Sequence, residues 1–276
     1  VSARLDCVAG IQARMSSTRL PGKVLAEIAG RPLIEHVYER TRMAALLDGT
    51  FVLTTSDPSD DPLVEFLEAR GIPYRRGSLT DVRSRYVDLA REFDARFVVR
   101  VTGDVPLVEP DFIDLQLGAL RAFDVDLVRV GNDPEGAGAG TLGGQSAFSR
   151  RALEASLAST DPRDVEHVSA FFLAQAAAPL KAVEIEVDSI YLQPGLRLCV
   201  DEPADLELVR RLWERVDLAG DGRFPLERAL AWLVEHPEVR DHNRHVSESA
   251  DNQALRELTR ARASGAALAG GGSASR

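Results

Sequence analysis

The sequence predicts an α/β fold, a mostly parallel sheet flanked by helices, and three observations lead there. Apolar runs of about five to eight residues alternate with longer amphipathic stretches, the repeat of strand and helix units that builds such a sheet. The run 97–101 is nearly unbroken in its apolar character, as expected of a central strand covered on both faces. A polar loop, 13–22, follows the first apolar run, and loops at that edge of an open sheet are where ligands bind.

The elements follow in order. Leu5 to Gln12 reads as the first strand. Pro32 can open the next helix in its first turn, with Leu33, Ile34, Val37 and Tyr38 on one face. Thr50 to Thr55 is the second strand. Asp60 or Asp61 is placed to cap a helix whose Leu63, Val64 and Leu67 face inward and whose end is marked by Gly71. Ile72 to Arg75 is a short third strand, followed by a helix over Val82 to Phe93, the central strand Phe97 to Val101, a helix over Pro110 to Phe123 and a strand over Val125 to Val130. The glycine-rich stretch Gly131 to Gln145 favours a mobile loop. Helical stretches from Ser149 and over Val165 to Ala178, strands over Ala182 to Val187 and Arg197 to Val200, and a helix from Pro203 complete one domain over residues 1–246. Residues 247–276 end in ARASGAALAGGGSASR, too poor in apolar side chains to offset the entropy of ordering, and are expected to be a disordered tail.

The 276 residues are 45% hydrophobic and 28% charged, with a net charge of -10. An acidic field of this kind argues against a nucleic-acid polymer as partner, while leaving room for a small anion at a local basic site. Cys7 and Cys199 lie in apolar runs and make no disulfide framework, so a reducing cytoplasm is expected. No run approaches the roughly 18 apolar residues that span a bilayer. Of the 33 basic residues only Lys23 and Lys181 are lysines, which draws attention to where a compact ammonium is used.

Lys23 falls in the segment IQARMSSTRLPGKVL, residues 11–25. Arg14, Arg19 and Lys23 are spread among Ser16, Ser17 and Thr18, with Pro21 and Gly22 setting a turn. Residues 1–25 hold Arg4, Arg14, Arg19 and Lys23 against Asp6 alone, a local charge of +3. Such a loop can cradle phosphates on its backbone N–H groups while the cations neutralise them. It is neither the dinucleotide fingerprint nor the P-loop.

This segment resembles the opening motif of the cytidylyltransferases related to spore-coat polysaccharide biosynthesis proteins, the wider group that includes CMP-KDO and CMP-sialic acid synthetases. The resemblance continues in RGSLTDVRSRY (76–86), RVTGDVPLV (100–108), EHVSAFF (166–172) and VDEPADLE (200–207), in the family's order. It implies a Rossmann-like, GT-A-like nucleotidyltransferase sheet, use of CTP with Mg²⁺, and transfer of a cytidylyl group to a small acceptor with release of pyrophosphate. By the same resemblance Arg14 and Lys23 would be catalytic and hold the triphosphate, with Arg19 a helper. Asp104 and Asp201 would be the metal carboxylates. Ala13, Thr55, Asp81, Arg85 and Gly103 would line the nucleotide. A homodimer is implied, with a dimerisation and acceptor region over residues 131–196. Another NTP as substrate, or nucleotide binding without transfer, are the alternatives.

The two aspartates also have ordinary uses. Asp104 can serve as a turn residue before Pro106, and Asp201 as the cap of the helix beginning at Pro203. If Phe97–Val101 and Arg197–Val200 are neighbouring strands, both carboxylates emerge on one edge of the sheet. In the acceptor region the family pattern resembling GLDVEVFS is replaced by TLGGQSAFS, so Gly144 and Ser146 stand where carboxylates are expected. Gln145 and His167 are the acceptor-side candidates. This change points to a non-standard acceptor, such as a sugar acid, a sugar phosphate or a phosphonate.

Overall fold

In the computed structural model, residues 4–131, 144–166, 168 and 180–247 are described. The first half alternates strands and helices as expected. β1 (Cys7–Gln12) leads through the polar loop and a 3-10 turn to a small antiparallel pair, β2 (Glu27–Ile28) and β3 (Arg31–Pro32), and then to α1 (Leu33–Thr41). β4 (Gly49–Thr55), α2 (Asp61–Arg70), β5 (Tyr74–Gly77), α3 (Val82–Glu92), β6 (Phe97–Thr102) and α4 (Pro110–Ala122) follow. β7 (Leu127–Val130) and β8 (Gln145–Ser149) come next. Then come α5 (Arg150–Ser156), α6 (Pro162–Glu166), β9 (Ala182–Ile185), α7 (Pro203–Val216), α8 (Leu226–Glu235) and α9 (Pro237–Arg240).

The seven-stranded sheet runs β5-β4-β1-β6-β8-β7-β9. β5, β4, β1 and β6 pair in parallel, and so do β7 and β9. β8 alone runs against its neighbours β6 and β7. Alternation along β1 assigns the two faces: Cys7, Ala9 and Ile11 enter the core beneath α1, α4 and α7, whereas Val8 enters the one beneath α3 and α5. Each fully buried aliphatic side chain contributes about 1.5–3 kcal/mol, so this two-sided burial fixes the strand register and, with it, where each strand ends.

Three expectations are corrected. Residues 197–200 form no strand: Leu196, Leu198 and Val200 are buried by alternation, but among the described residues no ladder pairs the segment with the sheet, and the Val200 N–H donates instead to the carbonyl of Asp104, past the end of β6, at 2.8 Å. Burying every second side chain requires an extended chain, not a ladder partner. Neither Asp60 nor Asp61 caps α2 with its side chain; Asp57 accepts from the Ser59 N–H instead, and Asp60 is spent elsewhere. The third strand begins at Tyr74 rather than Ile72, because Gly71 at φ 64° still belongs to the end of α2. Most of the glycine-rich stretch, the later part of the helix expected over Val165–Ala178, and nearly all of the expected tail lie outside the described residues.

Candidate active site

Segments distant in sequence meet at the carboxyl edge of β1 and β6. Gly22, at φ 72°, turns the chain in the left-handed region and starts the 3-10 turn Lys23–Leu25. Lys23 is thereby carried inward, 9% exposed, and its Nζ donates to Asp104 Oδ2 at 2.8 Å and to Asp201 Oδ1 at 2.8 Å. Asp104 reaches this point because β6 leaves the sheet tightly against β1. The Gly103 N–H donates to the Gln12 carbonyl at 2.8 Å, and a Cβ on residue 103 would lie 2.8 Å from that same oxygen.

Asp201 is held by a second layer. Its other oxygen, Oδ2, takes Arg19 at 2.8 Å and Arg197 at 3.1 Å. The fully buried Asp205 accepts from the N–H groups of Asp201 and Glu202 at 3.0 and 2.9 Å, and from Asn243 Nδ2 at 2.7 Å. The capping role open to Asp201 therefore belongs to its neighbours: Glu202 is the N-cap of α7, and Asp205 reaches back to the N-cap N–H. The Asp201 carboxylate is left to Lys23, Arg19 and Arg197, with the Cys199 thiol donating to Oδ2 at 4.0 Å.

Burial opposes the Lys23 ammonium, but Asp104 and Asp201 outweigh it and hold its pKa above the ordinary lysine value. Burial likewise opposes the Asp201 anion, and Lys23, Arg19 and Arg197 together pull its pKa below the usual carboxylate range. Cys199 lies beside them, and burial pushes its thiol up to about 12, so it is no nucleophile. The positive field expected of residues 1–25 is thus largely interleaved with acids. Arg4 does not contribute to it: exposed near the start of β1, it pairs with Asp94 at 3.6 Å.

The polar loop is tied down from its other flank. The Ala13 N–H donates to the Leu53 carbonyl at 3.1 Å. The Met15 N–H, next to Arg14, donates to Asp60 Oδ1 at 2.6 Å. Asp60 Oδ2 accepts from the Thr54 hydroxyl at 3.1 Å and from both the N–H and the hydroxyl of Thr55. Thr55 is fully buried, and its hydroxyl is committed to Asp60. Arg85 is buried, with Nη1 donating to the Leu53 carbonyl at 3.1 Å. Its pKa is lowered by burial and further by the nearby charge of Arg14. Asp81 caps α3, accepting from the Ser84 N–H at 2.8 Å, and also meets Arg83 at 3.4 Å.

On the acceptor side, Gly144 adopts φ 94°, and a Cβ there would collide with the Thr102 hydroxyl and Val105. Its carbonyl accepts from the Thr102 N–H at 2.8 Å. No side chain fits at residue 144 in this backbone. Gln145 begins β8, is 7% exposed, and its buried Oε1 has no hydrogen-bond partner among the described residues. His167 lies outside the described residues.

The structure therefore joins Lys23, Arg19, Asp104 and Asp201 in one cluster, sets Arg14 and Arg85 close together, and turns Asp81 and Thr55 to local structural bonds. Asp60, Arg197, Asp205 and Asn243 were missed. The Asp60-Asp61 pair is a visible signal, but it reads as a helix cap. The donors also bear on a metal. Two carboxylates sharing one cation at 2.8 Å each offer hard oxygen ligands, and Mg²⁺ takes one or two carboxylates with phosphate oxygens and water completing its shell. Among the described residues no cluster of three or more acidic, histidine or cysteine side chains forms a cage that would need no substrate oxygens. The pair fits Mg²⁺ held jointly with a phosphate.

A family model described as cytidylyltransferase matches residues 8–223. The spore coat polysaccharide biosynthesis protein SpsF of Bacillus subtilis is 27% identical over 210 residues, covering 74% of this chain and 85% of that protein. Among solved structures, a cytidylyltransferase from Leptospira borgpetersenii superposes with a TM-score of 0.74 at 21% identity, covering 87% of this chain and 97% of that one. CMP:2-keto-3-deoxy-manno-octonic acid synthetase complexed with CTP superposes with a TM-score of 0.59 at 22% identity, covering 76% and 99%. These structures share the fold, with the sheet and flanking helices described above. By a family match spanning most of its length, the chain belongs to the cytidylyltransferases.

Proposed function

We propose that the protein transfers CMP from CTP to a small acceptor, a sugar acid, a sugar phosphate or a phosphonate, and releases pyrophosphate. The observation that carries this reading is the Lys23 ammonium shared between Asp104 and Asp201 at the end of the anion loop. An acceptor oxygen attacks the α-phosphorus of CTP, the bond from that phosphorus to the bridging oxygen of pyrophosphate breaks, and an acceptor hydroxyl gives its proton to solvent. Both partners are electron-rich, so the barrier falls when cations neutralise the phosphates and the reactants are held in line.

Lys23 and Arg14 would hold the triphosphate, with Arg19 assisting. Lys23, its pKa above the ordinary lysine value, remains an ammonium at any working pH. Asp104 and Asp201 would hold Mg²⁺, which when bound supplies a hard cation that draws charge from the phosphates. Ala13, Gly103 and Arg85 would line the nucleotide, and Gln145 and His167 the acceptor. The relative solved with CTP supports the nucleotide, and the spore-coat polysaccharide relative supports a sugar among the acceptors.

Pyrophosphate release, measured with CTP, ATP, GTP and UTP against a panel of sugar acids, sugar phosphates and phosphonates, tests the proposal. Release with CTP and at least one such acceptor is expected. CTP-dependent thermal stabilisation with no release under any condition would mark a nucleotide-binding protein instead.

A further inference from the structure

Gln12, Tyr86 and Arg100 form a second polar group on the α3 side of the same sheet edge. Gln12 ends β1, and its Oε1 accepts from the Tyr86 hydroxyl at 3.0 Å and from Arg100 Nε at 3.0 Å. An arginine Nε can only donate, so the carboxamide oxygen faces it and the Gln12 NH₂ faces away. Tyr86 is fully buried and cannot move aside; its ring lies against β1 because residue 10 is glycine, where a Cβ would come within 2.9 Å of it. The Gln12 main chain in turn accepts from the N–H of Gly103, the residue before Asp104.

With Nε spent on Gln12, the two terminal nitrogens of Arg100 have no hydrogen-bond acceptor among the described residues, and they are not sealed from solvent. No carboxylate among the described residues pairs with Arg100, whereas the half-buried Arg75, Arg129, Arg150 and Arg197 each meet one. Directly across the β6–β8 ladder from Arg100 stands Ser146, one of the two positions where the family resemblance leads one to expect a carboxylate. The groups left outward are all N–H donors: the Gln12 NH₂ and the paired Nη1 and Nη2 of Arg100. Such a set recognises an anion, and the two Nη groups suit a carboxylate or phosphate taken through two oxygens. A half-buried guanidinium without a countercharge is costly, and a ligand that brings one offsets that cost.

We propose that Arg100 and Gln12 form a subsite that selects acceptors bearing a carboxylate or a phosphate over neutral sugars. The inference rests on the cytidylyltransferase reading above and assigns the group to the acceptor because Arg100 stands in register with Ser146 of β8, in the region the resemblance gives to the acceptor. The anchored side of the anion loop, with Asp60 and Arg85, lies toward β4, across β1. Replacement of a family carboxylate by Ser146 then has a physical consequence, since it leaves Arg100 to the acceptor.

The test is calorimetric titration of the protein saturated with CDP, which prevents turnover, using glucuronate, glucose 6-phosphate and glucose as probes. Wild type is expected to bind at least one anionic sugar about 10–100-fold more tightly than glucose, the range of a charge-assisted hydrogen bond. Preference for glucuronate assigns a carboxylate, and preference for glucose 6-phosphate a phosphate. Arg100→Gln and Ser146→Glu, which remove or neutralise the guanidinium, should abolish the preference. Ser146→Gln, which adds bulk without charge, should keep it. No preference in wild type, or a preference that survives Arg100→Gln, overturns the subsite. Thermal stabilisation by CDP, read on the same samples, reports separately on nucleotide binding; its absence in wild type would remove the underlying reading and the subsite with it.

Discussion

Lys23 Nζ lies 2.8 Å from Asp201 Oδ1 although 178 residues of chain separate them. Contact at that separation costs loop-closure entropy and takes charged groups out of water, so the sheet and its two cores must hold it in place. What the arrangement secures is chemical. The cation of the anion loop and the two carboxylates point at one spot, with Asp205 fixing the Asp201 backbone from behind.

Lys23→Ala is expected to lower kcat/KM by about a thousandfold or more while the far-ultraviolet spectrum stays that of the folded protein. Lys23→Arg should not restore activity, because a planar guanidinium cannot take the place of a compact ammonium donating to two carboxylates from one atom. Steady-state pyrophosphate release with both variants checks this; recovery by arginine would show that charge alone matters there.

Asp60→Asn should raise KM for CTP more than it lowers kcat. The buried carboxylate accepts from Met15, Thr54 and Thr55, and an amide turned to satisfy one of these donors faces another with an NH₂. The expected destabilisation is about 1–3 kcal/mol, measured by urea unfolding. An unchanged KM would detach Asp60 from the loop beside Arg14.

Gly103→Ala should impair both stability and turnover. The new methyl would sit 2.8 Å from the Gln12 carbonyl oxygen and 3.1 Å from the Ala13 Cβ, so β6 must move away from β1 and carry Asp104 with it. A wild-type melting temperature together with wild-type activity would show that this close approach is not needed.

His36 provides a pH test independent of catalysis. It is 1% exposed, bonds the Ile28 carbonyl at 2.7 Å and packs on Trp213, and burial lowers its pKa from 6.5 to about 4. Between those values the unfolded chain binds a proton that the folded protein refuses, so stability falls as pH falls through this window. About 2 kcal/mol should be lost between pH 7 and pH 5, and His36→Gln should flatten that slope. Urea unfolding across this range reads it directly.

The α/β architecture was legible because period and burial agree in β1, β4 and β6, whose side chains alternate into the two cores. The segment Arg197–Val200 reads as a strand in the sequence because its apolar Leu198 and Val200 alternate as a strand's would, and periodicity reports burial rather than ladder pairing. Lys23, Asp104 and Asp201 were legible as residues through motif resemblance, whereas their mutual contact is a product of the fold. Asp60 was misassigned because a carboxylate just before a helix reads as a cap, and only the tertiary approach of Met15 shows its use. Gln12 and Arg100 fall within the family-like segments 11–25 and 100–108, but nothing in either segment marks their pairing, which depends on strands far apart in sequence lying side by side.

The most direct measurement is the affinity for CTP with and without Mg²⁺, by calorimetry, in wild type and in Asp104→Asn, Asp201→Asn and the double variant. If the two carboxylates and Lys23 form one centre around magnesium-bound CTP, Mg²⁺ should tighten wild-type binding at least about tenfold. Each single variant should then lose most of that gain, and the double variant little more than either alone. Equal wild-type affinity in the presence and absence of Mg²⁺, or a full Mg²⁺ effect in the double variant, would contradict it.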